Sequence, residues 1–385
     1  MKQYDVIVIG AGAAGLTAAA VLLRRAKSVL VLDMGAKPAR KVSVSGGGNC
    51  NITNSAVAVE RYFGQNKNFV RGALSRLAPQ DVLQWCNIHN INLYEKTPGR
   101  YFCVKGASTV VKALLDDVDG ADIKYNHLVE SVHKNADSFI VQTKFGQFKA
   151  ESVIVATGGT SFGSLETSDI GYKIAQNFGH KIVPVRPALC AVATKYFDAQ
   201  LSGISVSVEI TVDGTKIQDD MLFTHFGIGG PAVYRATVRD ISHGMTINLC
   251  PGIDLFQELK KAKQTNGRRS ISNILSLYMP ARMAKFFVGN LDKNIADIRD
   301  DIISKIVDMI QCCHLDYSDI TLHSMKSAEI VRGGVSTEQI SSKTMESKLC
   351  SGLFFAGEVL DIAGDLGGFN LHWAWASGYV AGKNA

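Results

Sequence analysis

The chain has 385 residues, of which 46% are hydrophobic and 20% charged, so it can bury two or three structural units and is not expected to be disordered. Its formal net charge of +6 is a mild excess that is common among soluble enzymes. The eight cysteines include no CxxC pair and no zinc-site spacing, which predicts reduced thiols, no metal centre and a cytoplasmic protein. Three glycines interrupt the apolar run over residues 6–23, so neither a signal peptide nor a membrane helix is expected.

The first forty residues carry the pattern of a dinucleotide-binding unit. Residues 4–9 form a β-branched run typical of a buried parallel strand, and residues 10–15 read GxGxxG. A helix is predicted from about 16 to 25, and a second strand over 29–32 ends in Asp33. An acidic side chain at this spacing accepts hydrogen bonds from the adenosine ribose hydroxyls. The unit alone does not distinguish NAD from FAD.

Each glycine of this turn has a physical task. Gly10 permits the tight turn, Gly12 lets the backbone approach a pyrophosphate, and Gly15 lets the helix pack closely on the strand. The helix N-terminus offers free amides and a partial positive charge to the phosphates, so Ala13 and Ala14 belong to the predicted site.

Two later strands favour FAD. A strand predicted over 148–157 leads into the letters ATGG at 156–159, and one over 352–358 ends in FAGE. Both are similar to strands of the flavoprotein superfamily typified by glutathione reductase. By that resemblance, residues 123–149 are a small β-meander beside the nucleotide domain, and Glu358 is a ligand of the flavin ribityl chain. The cofactor-binding residues that these strands imply are Thr157, Gly158, Gly159, Gly357 and Glu358.

Five motifs narrow the resemblance. They read RKVSVSGGGNCNITN at 40–54, LFTHFGIGGP at 222–231, TMESK at 344–348, GEVLD at 357–361 and GGFNL at 367–371. In this order they resemble the YhiN/BaiN-like flavoprotein family over nearly the whole chain. The sequence departs from the family's usual Arg, Ser, Tyr and Gln at four positions, which are Asn49, Gly229, Phe369 and His372.

Two of these motifs also suit a flavin on physical grounds. Ser45 and the three glycines after it can present consecutive backbone amides to the pyrophosphate or to the carbonyl edge of the flavin, although a flexible surface loop is the alternative. Residues 367–368 begin a helix whose positive end would lie near the flavin N1 and C2 carbonyl. The further cofactor-binding residues predicted from both motifs are Arg40, Lys41, Ser45, Gly46, Gly47, Cys50, Asn51, Gly368, Phe369, Asn370 and Leu371.

The composition predicts an α/β fold: a Rossmann-type FAD-binding domain with a small β-meander, interrupted by a β-barrel-like insertion that carries a helical subdomain. The FAD-binding domain is expected at 1–187 and 335–385. The insertion is expected at 188–252 and 316–334, with the helical subdomain at 253–315. The cleft between insertion and FAD-binding domain is where flavin and substrate would meet.

Three side chains are candidates for work on the substrate. His225 and Cys103 can donate a proton, since either an imidazole or a thiol can protonate the carbon next to a reduced alkene. Each has an alternative interpretation, as a structural histidine and as a buried packing residue. Arg100 suits an anionic substrate group or the flavin edge.

The electron donor and the substrate are predicted from the number of nucleotide-binding units, the family resemblance and the charge. Only one complete GxGxxG unit is present, so either NAD(P)H visits the substrate cleft transiently or another acceptor reoxidises the flavin. The family resemblance implies reduction of a uracil in ribosomal RNA, reduction of a steroid enone, or oxidation of an aminoketone; a non-catalytic FAD-binding protein is the alternative from another class. We favour an NAD(P)H-driven reductase with ribosomal RNA ahead of a small-molecule substrate, because a polyphosphate partner needs several cations. The basic residues of the predicted helical subdomain are Lys260, Lys261, Lys263, Arg268, Arg269, Arg282 and Lys285.

Overall fold

The computed structural model describes residues 2–385 and divides the chain into two compact units. The first unit contains the chain up to Pro187 together with Met325–Ala385, and the second contains Ala188–Ser324. Residues 325–334, which the sequence assigned to the insertion, belong to the first unit because the strand Ile330–Val335 pairs there with Ile182–Ala188. The predicted helical subdomain is not separate, since its helices share one hydrophobic core with the sheet of the second unit.

The elements of the chain are numbered here in sequence order. The strands are β1 (Lys2–Ile9), β2 (Val29–Leu32), β3 (Asn51–Asn54), β4 (Tyr62–Phe63), β5 (Leu93–Thr97), β6 (Arg100–Cys103), β7 (Asp122–Lys124), β8 (Val129–Asn135), β9 (Ser138–Thr143), β10 (Gly146–Val155), β11 (Ile182–Ala188), β12 (Val192–Ala193), β13 (Ser205–Val212), β14 (Thr215–Phe223), β15 (Gly227–Gly229), β16 (Met245–Asn248), β17 (Cys313–Leu315), β18 (Thr321–Leu322), β19 (Ile330–Val335), β20 (Leu353–Phe355) and β21 (Ala363–Gly364). The α-helices are α1 (Ala13–Arg24), α2 (Arg40–Val44), α3 (Arg71–Leu74), α4 (Pro79–Ile88), α5 (Ala107–Asp116), α6 (Ile170–Asn177), α7 (Pro231–Thr237), α8 (Leu255–Thr265), α9 (Ile271–Leu275), α10 (Ala281–Val288), α11 (Asp300–Gln311) and α12 (Phe369–Asn384).

The first unit is built on a seven-stranded sheet with the order β7-β2-β1-β10-β9-β8, in which β20 also pairs with β10. Strand β1 is parallel to β2 and to β10, and β20 is parallel to β10. The meander predicted over 123–149 is formed by β8, β9 and the beginning of β10, so it continues the parallel sheet. Strand β7, which lies at the start of that range, instead pairs in parallel with β2.

The two ends of the chain are joined by close packing of α1 and α12. A β-carbon at Gly378 would lie 2.3 Å from the carbonyl oxygen of Ala14, and one at Gly382 would lie 2.6 Å from that of Ala18. Helix backbones approach this closely only where side chains are absent or very small. The C-terminal helix is therefore part of the nucleotide-binding unit, as the sequence predicted.

The second unit contains an antiparallel sheet with the order β17-β16-β13-β14-β15-β12-β18, and this sheet is the predicted β-barrel-like insertion. Strand β13 alternates between buried and partly exposed residues, so one face of the sheet packs on α7 to α11. None of the helices within residues 2–385 is long and apolar enough to cross a membrane.

Candidate functional site

The glycine-rich turn between β1 and α1 contains two kinds of glycine. Two are required by close backbone contacts, and one borders open space. Gly10 has φ +110°, and a β-carbon there would lie 2.4 Å from the carbonyl oxygen of Ala156. A β-carbon on Gly15 would lie 1.9 Å from the carbonyl oxygen of Gly10. Gly12, at the N-terminus of the twelve-residue α1, would meet nothing within 4 Å. The turn therefore leaves room at a helix N-terminus, as a pyrophosphate requires.

The carboxyl ends of β1, β10 and β20 lie at the same edge of the sheet, because the three strands are parallel. The segment 157–159 follows β10 there, and a β-carbon on Gly159 would lie 3.0 Å from the side chain of Glu358. Gly357 donates its amide to Ser377 Oγ at 2.9 Å, and a β-carbon on it would lie 3.0 Å from that of Ala14. The structure thus brings the predicted ATGG, FAGE and GxGxxG segments together.

Asp33 is nearly buried and organises the loops beside this turn. Its Oδ2 accepts a hydrogen bond from the amide of Ala11 and its Oδ1 one from the amide of Gly35, both at 2.7 Å. The guanidinium of Arg40 lies 3.2 Å from Oδ1 and also donates to the carbonyl oxygen of Glu166. Asp33 and Arg40 therefore hold backbone in place, and direct contact of either with the cofactor stays a prediction.

Glu358, the predicted ribityl ligand, is the centre of a polar network. Its Oε2 lies 2.7 Å from Lys41 Nζ. Its Oε1 accepts hydrogen bonds from the backbone amide of Val331 at 2.9 Å and from Ser161 Oγ at 3.2 Å. The side chains of Glu358 and Lys41 are 18% and 32% exposed, so the pair borders solvent-accessible space. Sequence reasoning missed Ser161 and Val331, because they reach Glu358 only in the folded chain, across 197 and 27 residues of sequence.

The predicted amide-rich loop after α2 has the backbone conformation that only glycine adopts readily. Gly46, Gly47 and Gly48 have φ of +58°, +66° and +88°. A β-carbon on Gly47 or Gly48 would meet nothing within 4 Å, whereas Gly46 lies against the ring of Phe102. Ser45 Oγ donates to the carbonyl oxygen of Val42. The loop is a shaped left-handed turn that faces open space, which fits the predicted nest.

The N-terminus of α12 is a second place where the described residues fit a flavin. Gly368 has φ +93°, and a β-carbon there would lie 2.7 Å from the carbonyl oxygen of Thr53. Asn51 Oδ1 is buried beside Gly368 and has no hydrogen-bond partner within the described part of the chain. A buried amide oxygen without a partner is costly, and an N–H group of a ligand would satisfy it.

The remaining residues predicted at this helix end have separate places. The Arg100 side chain lies against Gly367, within 2.7 Å of where a β-carbon would be, so the predicted substrate-binding residue is at the helix N-terminus. Asn370 closes the loop before the helix, since its side chain bonds both backbone groups of Gly364 at 2.7 and 2.9 Å. Phe369 is buried, and Leu371 is partly buried.

His372 stands where the family pattern has Gln, and it is completely buried in α12. Its Nδ1 lies 2.9 Å from Thr53 Oγ1, and its Nε2 lies 3.1 Å from the carbonyl oxygen of Leu77. A carbonyl oxygen can only accept, so Nε2 carries the proton and Nδ1 accepts from the hydroxyl. Burial lowers the pKa of His372 from 6.5 to about 4.

His372→Gln is expected to make the protein less sensitive to acid. An imidazole whose folded pKa is depressed contributes full stability above its unfolded pKa, and this stability is lost as the pH falls from about 6.5 towards 4. Between about pH 7 and pH 5 the loss from this group is on the order of 2 kcal/mol. Glutamine can accept from Thr53 and donate to Leu77 without titrating. Urea unfolding at both pH values should show a smaller decline for the variant, and equal declines would remove His372 as the cause.

Cys103 does not fit the predicted role of proton donor. Its side chain is completely buried at the end of β6, next to Cys50, which is also completely buried. The thiol–thiol hydrogen bond between them lowers the pKa of Cys103 and raises that of Cys50. Burial gives both cysteines a packing role inside the loop region, and this argues against a contact between Cys103 and a substrate. For Cys50 it argues against direct contact with the cofactor through its side chain.

His225 is exposed in the loop between β14 and β15 of the second unit. The loop is held by the Thr224 amide, which donates to the carbonyl oxygen of Gly227 at 2.8 Å. The neighbouring Phe226 is stacked on His323, with ring centroids 4.6 Å apart. His225 is therefore not a buried structural histidine, and its role as a proton donor stays a prediction.

Within residues 2–385, no group of three or more His, Cys, Asp or Glu side chains is arranged to hold a metal ion.

A cavity of about 400 Å³ is lined by residues of α1, α4 and α12, among them Thr17, Trp85 and Trp375. None of the predicted cofactor residues lines this cavity, so it is distinct from the glycine-rich site.

Nearly the whole chain is similar to known proteins. The family description "HI0933-like protein Rossmann domain" matches residues 4–384. The chain belongs to this HI0933-like family. A ribosomal RNA dihydrouridine synthase of Haemophilus influenzae is 38% identical over 395 residues, which cover 99% of this chain and 98% of the relative. A 3-dehydro-bile acid delta(4,6)-reductase of Clostridium scindens is 27% identical over 406 residues, which cover 98% of each chain.

The fold of this HI0933-like chain is also similar to solved flavoproteins. The open conformation of a flavocytochrome c3 fumarate reductase has a TM-score of 0.50 at 16% identity, covering 100% of this chain and 78% of the other. The predicted family resemblance and the Rossmann-type FAD-binding fold are confirmed. The chain is an FAD-dependent oxidoreductase. The open space at Gly12 and Gly47 and the unpartnered Asn51 amide oxygen fit this cofactor.

Proposed function

We propose that this HI0933-like protein is an NAD(P)H-driven reductase of a uracil in ribosomal RNA, which it converts to dihydrouracil. The observation that carries the proposal is the 38% identity with a ribosomal RNA dihydrouridine synthase over nearly the full length of both chains. The alignment covers 98% of the relative, so the two chains share nearly all of their length. The polar network around Glu358 and the helix N-terminus beside Arg100 lie within this shared length.

The proposed reaction adds one hydride and one proton across the double bond of the uracil ring. NAD(P)H would supply the hydride, a hydrogen with two electrons, and FAD held at the glycine-rich site would pass it on through N5. The carbon next to the uracil carbonyl must then receive a proton. The candidate donor is His225, whose side chain is exposed. Arg100, at the positive end of α12, suits a carbonyl oxygen on which negative charge develops. The products are dihydrouracil and NAD(P)⁺, so charge and atoms balance.

Anaerobic mixing tests both halves of this proposal. With excess NADPH or NADH, the yellow colour of the bound flavin should bleach, because the nicotinamide delivers a hydride. Adding ribosomal RNA from a strain that lacks this protein should restore the colour and produce dihydrouridine, measured by mass spectrometry of nucleosides. RNA that already carries the modification is the matched control and should leave the flavin bleached. Bleaching without reoxidation by unmodified RNA would contradict the RNA substrate, and no bleaching with either nucleotide would contradict the donor.

A steroid-type enone is the second candidate substrate. It is favoured by the 27% identity with the bile acid reductase, which also spans nearly all of both chains. The same assay distinguishes the two candidates. Reoxidation of the bleached flavin by a 3-keto enone steroid, with no response to unmodified RNA, would replace the first proposal with this one.

A further inference from the structure

The positive charge of this protein is not in the insertion. The second unit contains 14 Lys and Arg against 15 Asp and Glu, whereas the first unit contains 27 against 20. In the predicted basic cluster of the insertion, Lys260 and Lys263 both pair with Asp300. Of the seven basic residues predicted there, five are exposed, namely Lys261, Arg268, Arg269, Arg282 and Lys285. The second unit has no net positive charge to attract a polyanion, so the excess of cations is on the FAD-binding unit.

One segment of the FAD-binding unit combines several cations with no acid. Residues 61–80 contain four Lys or Arg and neither Asp nor Glu. Within it, a 3-10 helix over Lys67–Val70 runs directly into α3. Phe69, Val70 and Ala73 are buried on one face of this continuous turn. Lys67 and Arg71, four positions apart, are exposed on the other.

Two further cations join this face through tertiary contacts. A β-carbon on Gly72 would lie 2.7 Å from the carbonyl oxygen of Ser342, so α3 lies directly against the segment that contains Lys343. Arg76 Nη1 donates to the carbonyl oxygen of Lys343 at 2.7 Å. We call Lys67, Arg71, Arg76 and Lys343 the basic patch. All four are exposed, and no ion pair to any of them is found among residues 2–385.

The segment that carries most of the basic patch contacts the first turns of α12. Strand β4, at the start of the same segment, pairs with β21, which precedes the N-terminus of α12. Arg61 lies 3.1 Å from Asp365 and 5.7 Å from the ring centre of Phe369, the first residue of α12. Phe69, beneath the patch, packs on Trp373 of the same helix at 6.1 Å. A chain of phosphates on the patch would therefore pass close to the end of α12 that carries Gly368.

We propose that the basic patch binds the phosphate backbone of the RNA substrate next to the flavin site. This inference rests on the proposed function. Four exposed cations with no ion pair among the described residues suit a polyphosphate, because each contact releases condensed counterions. No large apolar side chain between residues 61 and 80 is exposed, so the surface lacks the apolar anchor that a membrane or an obligate protein interface uses. RNA is the polyanion that the proposed reaction requires.

Salt titration of RNA binding tests the basic patch against the insertion. The probe is a fluorescein-labelled single-stranded RNA of about 20 nucleotides taken from ribosomal RNA. The patch variant carries Lys67→Gln, Arg71→Gln and Lys343→Gln, and the control variant carries Lys261→Gln, Arg268→Gln and Arg269→Gln. Both lose three exposed charges, so a nonspecific effect of net charge would be equal in the two. The FAD spectrum and bleaching by NADPH should match the parent in both, because none of the six residues is in the cofactor site.

The slope of log affinity against log salt should be shallower by roughly 2 in the patch variant, since each single-strand contact contributes about 0.7. Between roughly 50 and 200 mM salt, the factor by which affinity falls should be about 15 times smaller in the patch variant than in the parent. The control variant should show the same fall as the parent. Parent binding with an unchanged slope in the patch variant, or flattening in the control variant alone, would overturn the patch and leave the proposed function standing. A parent protein that does not bind the RNA at low salt would overturn both.

Discussion

Gly12→Val should give a folded protein that purifies without FAD. A branched side chain at the N-terminus of α1 occupies the space in which the pyrophosphate must approach the helix amides. The protein itself has room for it, because a β-carbon on Gly12 would meet nothing within 4 Å and the residue has an ordinary extended backbone with φ −85°. Flavin absorbance per protein and the released cofactor, identified by chromatography, provide the measurement.

The matched control for this prediction is Gly15→Ala, three residues along the same turn. Its β-carbon would lie 1.9 Å from the carbonyl oxygen of Gly10, so this change must displace the strand or the helix. We expect Gly15→Ala to lower the melting temperature or to prevent folding, whereas Gly12→Val should cost the apo-protein only about 1 kcal/mol. A Gly12→Val protein with the FAD content of the parent would show that the dinucleotide does not bind at this turn.

Glu358→Ala should weaken FAD binding by roughly 10- to 150-fold, which corresponds to the loss of about 1.5 to 3 kcal/mol from a charge-assisted hydrogen bond. The structure gives two routes to this effect. The carboxylate is predicted to hold the ribityl chain, and it also fixes Lys41 at 2.7 Å and the amide of Val331 at 2.9 Å. FAD affinity, measured by titrating the apo-protein, and the far-UV circular dichroism spectrum are the readouts.

A double-mutant cycle with Lys41 separates the two routes. If Glu358 acts by holding Lys41, then Lys41→Met should weaken FAD binding similarly, and the double variant should be little worse than either single variant. If Glu358 contacts the ribityl chain itself, the two losses should add. Glu358→Gln keeps an acceptor of the same shape and should lose less affinity than Glu358→Ala. Unchanged affinity in Glu358→Ala would place the side chain outside the cofactor site.

The sequence by itself determined the nucleotide-binding turn and the family. Gly10 and Gly15 are required by contacts within one strand-turn-helix unit, and such local constraints are visible as residue types at fixed spacing. The same is true of the consecutive glycines at 46–48, whose left-handed backbone only glycine adopts readily. The sequence also indicated that the last helix completes the first domain, because the FAGE strand resembles a strand that pairs beside the nucleotide fold.

The tertiary structure alone decided which charges are free and which polar atoms have partners. The sequence indicated that Lys260 and Lys263 could contact RNA, but in the fold both form ion pairs with Asp300 of α11. Lys343 lies beside Arg76 although more than 260 residues separate them in sequence. The same holds for Ser161 beside Glu358 and for the burial of Cys103. Hydrogen bonds and ion pairs act over a few ångströms of space, whereas residue spacing reports only neighbours along one strand or helix. A partner that comes from a distant segment therefore leaves no trace in the local pattern.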